Sequence, residues 1–267
     1  MRAPRDDETL LLSPDEPAPA TMVRAGGASP FFLACDHASN RIPRSLGALG
    51  LEPRHLERHI AWDVGAAAVA HELSARLDAT LALQNYSRLV IDCNRAPDVA
   101  GSITAFSEDT PIPGNRDLDP AEARARVREV FDPYHDAIAA ALDRRAAEGR
   151  ASVLVAVHSF TPVYNGDARP WHLGVLYNRD GRFASELLDL LAGDGDLCIG
   201  DNEPYAIDDE SDYTIPVHGE RRGLVHVEFE IRQDLVATAQ GQSEWAARLA
   251  DLLARGLERL NATDRAD

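Results

Sequence analysis

Cysteine is scarce in this chain: 267 residues hold only three, Cys35, Cys93 and Cys198. They are far apart, odd in number and form no CxxC pair, which argues against a disulfide framework and leaves three buried, inert thiols as the expectation. Long apolar runs are also missing; none approaches the roughly 20 residues a membrane helix needs. Leu10-Leu11-Leu12 is flanked by acidic residues and prolines, so it does not read as a secretory signal, and a cytoplasmic protein is expected. Basic residues are few. There are 27 against 44 acidic ones, a net charge of -17 with no basic cluster, the wrong sign for binding nucleic acid by counterion release. An acidic chain that binds a small anion must do so locally, with individually placed arginines. No internal repeat is present.

What is present is a series of apolar runs that end in polar residues. The length suits one large domain, expected over residues 29–262, behind a flexible N-terminal arm over residues 1–28 that is rich in Pro, Ala, Asp and Glu. Strands are expected at 31–35, 80–83, 89–93, 152–157, 173–177, 197–199 and 224–231. Helices are expected at 53–58, 64–77, 183–191 and 243–260. A further helix starts at Asp119-Pro120-Ala121-Glu122 and breaks near Pro133. Asp63 sits where the 64–77 helix would want its N-cap. Residues 96–118 carry three prolines and two glycines and read as a long, functional loop. Strands alternating with helices predict a three-layer α/β sandwich with a mixed, mostly parallel central sheet.

Three of these runs deliver chemistry to the sheet's carboxyl edge, where open α/β sheets place their ligand sites. Phe31 to Cys35 leads to His37 and Asn40; Val153 to Val157 leads to His158; Leu224 to Ile231 carries Glu228 and Glu230 on one face by strand period. Two imidazoles and a carboxylate are what a hydrolytic zinc site requires. His37 and His158 are the expected metal ligands. The third stays open between Asn40, an amide and a poor zinc ligand, and Asp63. Asn94 and Arg95 end another run, and an arginine fork suits a substrate carboxylate. Arg179, in the pair Asn178-Arg179, and Arg169 are further candidates for it. His218, in a loop with Gly and Arg, is a candidate substrate contact.

Together these segments resemble the N-formylglutamate amidohydrolases, relatives of zinc carboxypeptidases and aspartoacylases, over roughly residues 31–260. His37-Ala38-Ser39-Asn40 is similar to the wider superfamily's first metal motif, usually His-x-x-Glu. His158-Ser159-Phe160 is similar to the motif of the second histidine, Asp92-Cys93-Asn94-Arg95 to the carboxylate-gripping Asp-x-Asn-Arg, and Phe229-Glu230-Ile231-Arg232 to the segment with the general base. The resemblance implies a phosphorylase/hydrolase-like, zinc-carboxypeptidase-like fold. It implies Zn2+ or another divalent cation and hydrolysis of an N-formyl or N-acyl amino acid such as N-formylglutamate. Glu230, with His218, would be catalytic, and the partner would be a small anionic substrate, with neither nucleic acid nor membrane. The competing readings are a carboxypeptidase- or deacylase-like amidohydrolase acting on a larger acidic substrate, and an inactive anion-binding relative. Asn40 departs from the motif's glutamate.

Overall fold

The apolar runs assemble into one seven-stranded sheet. In this computed structural model, which describes residues 10–193, 195–263 and 265, the strands are β1 (Ala20–Val23), β2 (Phe31–Cys35), β3 (Thr80–Gln84), β4 (Val153–Phe160), β5 (Leu173–Leu176), β6 (Ile199–Asp201) and β7 (Val225–Arg232). Their spatial order is β1-β3-β2-β4-β7-β5-β6. The central four, β3, β2, β4 and β7, run parallel. β1 is antiparallel to β3, and β5 is antiparallel to β7 with β6 parallel to it. The central strands are buried on both faces, which is why they read as continuous apolar runs.

Strand period divides the core in two. Leu33, Val155 and Phe229 point to one face, packed with Val69, Phe183, Trp245 and Leu249 from α2 (Ala66–Leu77), α5 (Arg182–Leu191) and α6 (Ala239–Thr263). Phe32, Ala34, Leu154 and Ala156 point to the other, packed with Phe131, Tyr134 and Ile138 at α4 (Asp132–Ala147). His158, Glu228 and Glu230 continue the second pattern, so the polar residues emerge on the α4 face near the carboxyl edge. The short helix α1 spans Pro53–Leu56. Helix α3 (Pro120–Arg126) starts where expected, and the structure adds a capping box from Asp119 and Glu122. The break near Pro133 is a π-turn over Val127–Phe131, in which Asp132 N–H reaches back to Val127 O, a register that accommodates the proline's missing donor.

Four expectations are corrected here. Residues 89–93 form no strand. Their carbonyls are met by side chains instead, Leu89 O by Asn115 and Val90 O by the buried Arg126 guanidinium. The 1–28 segment contains a sheet strand, β1, and a buried Leu11; of that segment, residues 1–9 lie outside the described residues. Asp63 does not cap α2. Gly65 does, at φ +83°, and a Cβ there would lie 2.3 Å from Val236 O, so glycine alone fits and the Asp63 carboxylate is freed to turn elsewhere. Finally, Cys198 is exposed, while Cys35 and Cys93 are buried. No helix among the described residues is long and apolar enough to cross a membrane.

Candidate active site

The carboxyl edge of the sheet opens into a cavity of about 620 Å³ lined by His37, Asp63, His158, Glu228, Glu230, Asn94 and Arg95, among others. His37 follows β2, and His158 lies within β4. In the parallel β4–β7 ladder Glu230 stands opposite His158, so chain register alone sets the carboxylate beside the imidazole. Asp63 is drawn in by its backbone N–H, which donates to His37 O at 2.9 Å, and by Ser159 N–H, which donates to its Oδ2 at 3.3 Å.

Both imidazoles turn Nδ1 toward the same Asp63 oxygen, His158 at 2.9 Å and His37 at 3.4 Å. Their outer nitrogens rest on other carboxylates: His37 Nε2 on Asp92 Oδ1 at 2.7 Å and His158 Nε2 on Asp36 Oδ2 at 3.1 Å. Asp36 is fixed in turn by the Tyr134 and Thr214 hydroxyls, each donating to Oδ1 at 2.8 Å. Arg88 donates to Asp92 Oδ2 at 2.7 Å and reaches Asp63 Oδ1 at 3.4 Å. Sequence reading missed Asp36 and Arg88 as site residues. Asp36 carried a signal, since it directly precedes His37 at a strand end; Arg88 lay in a segment with no motif.

The electrostatics are those of a buried anionic cluster. Burial would raise the Asp63 carboxyl, but the His37 and His158 contacts outweigh it and hold it well below the usual carboxylate range. Burial opposes charge on His158 too, yet Glu228, Asp36 and Asp63 raise it well above an ordinary histidine. Burial pushes Glu228 and Glu230 up to about 8, the pull of His158 notwithstanding. Among the described residues Glu228 Oε2 and Glu230 Oε2 are buried without a hydrogen-bond partner, an uncommon state for a native polar atom.

These residues fit a cation. His37, Asp63 and His158 each offer a ligand atom, all within 4.8 Å of one another. The donor set is two imidazoles and one carboxylate, a catalytic zinc set, and the carboxylate behind each histidine is the support that orients metal-bound imidazoles. Five carboxyl groups (Asp36, Asp63, Asp92, Glu228, Glu230) crowd this site, and a divalent charge would relieve them.

Other expected site residues lie elsewhere. Asn40 Nδ2 donates to Leu56 O at 2.8 Å, and Asn40 is not among the groups lining the cavity. His218 is buried against His135, 3.0 Å from Nδ1, and is not among the groups lining the cavity. Arg179 is paired with Asp209 and Glu220 at a separate, smaller pocket beyond β5. Arg169 lies between the Tyr164 and Tyr205 rings, both of which line the cavity. Asn94 and Arg95 do reach the cavity. The Asn94 side-chain oxygen accepts from the Tyr213 and Thr214 N–H groups, which fixes the residue before Arg95.

The model of the N-formylglutamate amidohydrolase family matches residues 29–237. The gene product Atu2144 from Agrobacterium tumefaciens superposes with a TM-score of 0.91 at 39% identity, covering 94% of this chain and 99% of that one. N-formylglutamate amidohydrolase from Ralstonia eutropha JMP134 shares the fold at a TM-score of 0.69 and 20% identity, covering 94% of this chain and 100% of that one. Among curated proteins none matches the chain. The family match spans every strand from β2 to β7 and with them all the side chains gathered at the carboxyl edge, and on it the chain belongs to the N-formylglutamate amidohydrolase family.

Proposed function

We propose that the chain hydrolyses the amide of an N-formyl or N-acyl amino acid, N-formylglutamate being the model substrate, with a divalent cation, zinc first, held by His37, Asp63 and His158. The observation that carries this reading is the convergence of both Nδ1 atoms on one Asp63 oxygen, beside Glu230 in register on the next strand. When bound, zinc supplies a Lewis acid and an acidified water. Glu230 takes the proton from the attacking water and returns it to the departing nitrogen. Burial favours the protonated form of Glu230 and a bound cation would favour its carboxylate, so the group can accept a proton from the water and release it to the leaving nitrogen. Asn94 and Arg95 hold the substrate carboxylate at the cavity wall. Asp92 keeps the Arg95 guanidinium in place, 3.5 Å away. Asp36 and Asp92 hold the two imidazole rings in orientation. The products are the carboxylic acid, formate for a formyl substrate, and the free amino acid.

Chelator-stripped protein assayed for amine release, with and without added zinc, tests the cation. Activity is expected to fall on stripping and return with metal, and full turnover in metal-free protein would overturn the reading. Glu230→Gln is expected to lower kcat by about 100-fold or more with the fold intact by circular dichroism; near-normal turnover would remove Glu230 from the base's role.

A further inference from the structure

Exposed apolar side chains gather at one place on this protein. Among the described residues the large hydrophobic side chains left exposed are Leu10, Phe106, Val163, Tyr164 and Tyr205. Three of them, Phe106, Tyr164 and Tyr205, line the cavity of the candidate active site. They come from three separate segments. Phe106 lies on a hairpin in which Phe106–Ser107 pairs with Thr110–Pro111. Tyr164 lies on a second, in which Val163–Tyr164 pairs with Asp167–Ala168, and Tyr205 follows β6. The histidines and carboxylates are buried at the sheet edge, whereas these three rings meet solvent at the cavity mouth. Exposed apolar surface that converges on one cavity from separate segments marks a place where an apolar group binds.

Both hairpins are tied down, so these walls stand before a ligand arrives. Across the first, Arg58 donates to Glu108 Oε2 at 2.6 Å and to Thr110 Oγ1 at 2.8 Å. At the second, the Arg169 guanidinium lies 4.6 Å from the Tyr164 ring centroid and 4.8 Å from that of Tyr205, and donates to the Tyr205 hydroxyl at 2.6 Å. Arg169 thus holds the two tyrosines to each other. A wall fixed in advance binds without an ordering cost. The cavity, at about 620 Å³, is also of the size that holds ligands far larger than a formyl amino acid of small side chain. A formyl group ends at the carbon under attack and has nothing to lay against three rings.

We propose that Phe106, Tyr164 and Tyr205 bind a bulky apolar group of the substrate, aryl or branched alkyl, beside the scissile amide, so that this chain prefers such N-acyl amino acids to compact ones. The proposal rests on the amide-hydrolysis reading above and names the substrate class for it. The apolar group can belong to the acyl part or to the amino-acid side chain, and two series separate these sources. One is N-formyl-, N-butyryl- and N-benzoylglutamate; the other is N-formylglycine, N-formylleucine and N-formylphenylalanine. In the wild type kcat/KM is expected to rise along one series by about 10- to 100-fold, the worth of burying an aromatic side chain. Phe106 is 57% exposed, so its replacement spares the fold. Phe106→Ser should cut the rise by about 3- to 10-fold, mainly through KM of the largest member, and Phe106→Leu should restore part of it. A flat or falling profile in both wild-type series, or an undiminished rise in both Phe106→Ser and Tyr164→Ser, overturns the proposal. Light scattering tests the other occupant: a dimer that Phe106→Ser splits would give the rings to a second copy of the chain and overturn it as well. Should the wild type hydrolyse none of the six, the amide reading fails, and binding decides the rings separately. In calorimetric titration 3-phenylpropionate should then bind about 10-fold or more tightly than propionate, with most of that margin lost in Phe106→Ser. Equal binding of the two acids, or an intact margin in the variant, refutes the proposal.

Discussion

Behind the site His135 and His218 form a buried, stacked pair whose protonation can be read from geometry. His135 Nε2 lies 2.8 Å from Cys93 O and must donate to it, which leaves Nδ1 to accept from His218 Nε2 at 3.0 Å. Neither ring is charged in that arrangement. Burial, chiefly, lowers His135 to about 4; burial and then the charge of His135 lower His218 to about 3. An unfolded histidine titrates near 6.5. The sign follows: above about 6.5 both states are neutral, and below it the unfolded chain takes up protons that the fold refuses, so stability is lost as pH falls. For His218 alone the loss between pH 8 and pH 5 is about 2 kcal/mol. The wild-type profile will not show it cleanly. Glu228 and Glu230, raised to about 8, work in the opposite sense, their contribution being present at low pH and lost as pH rises through the folded value. A difference measurement cancels them. His218→Gln retains an amide that can donate to His135 Nδ1 and does not titrate. Whatever the variant costs at pH 8, that cost should shrink by about 2 kcal/mol at pH 5, measured by urea unfolding at half-unit pH steps. A cost constant across this range would show that His218 is not held neutral, and the hydrogen-bond assignment would fall with it.

Three other perturbations probe the frame. Arg126→Met removes the donor shared by Val90 O, Asn115 Oδ1 and Gly114 O and should cost about 3 kcal/mol, roughly 6–12 °C in Tm; an unchanged Tm would mean that the 89–93 turn does not depend on it. Asp36→Asn should weaken zinc binding by about 10- to 100-fold in competition with a chromophoric chelator, and an unaltered affinity would contradict its role behind His158. Zinc should raise the wild-type Tm, and Asp63→Asn should abolish most of that rise; a full rise in the variant would place the ion elsewhere.

The central strands were legible because strands buried on both faces tend to be apolar throughout, as Phe31 to Cys35 and Val153 to Val157 are, while Leu224 to Ile231 alternates apolar residues with His226, Glu228 and Glu230 at strand period. Residues 89–93 have the same composition and no strand partner. What separates them is Arg126 and Asn115, side chains more than ten residues away that supply the hydrogen bonds a neighbouring strand would have given. No local pattern records that. β1 was hidden for the opposite reason: as a half-buried edge strand in a Pro- and Ala-rich stretch it needs little apolar character of its own.

The third candidate ligand shows how far a motif reaches. Asn40 occupies the motif position three residues after His37, yet its amide donates to Leu56 O, while Asp63 comes in from the start of α2. Capping and ligation compete for the same carboxylate, and from sequence alone the competition could not be resolved, since a Ser/Thr/Asp/Asn ahead of a helix is ordinarily its cap. Gly65 resolves it. A glycine at φ +83°, pressed against the Val236 carbonyl, takes the cap position, and the chain turns so that Asp63 faces the two histidines. Gly65→Ala therefore tests the site from a distance. The added Cβ must displace either the turn or the segment at Val236, and zinc affinity should fall even though no candidate ligand has been touched. Wild-type affinity in a stably folded Gly65→Ala protein would show that Asp63 reaches the histidines without this turn.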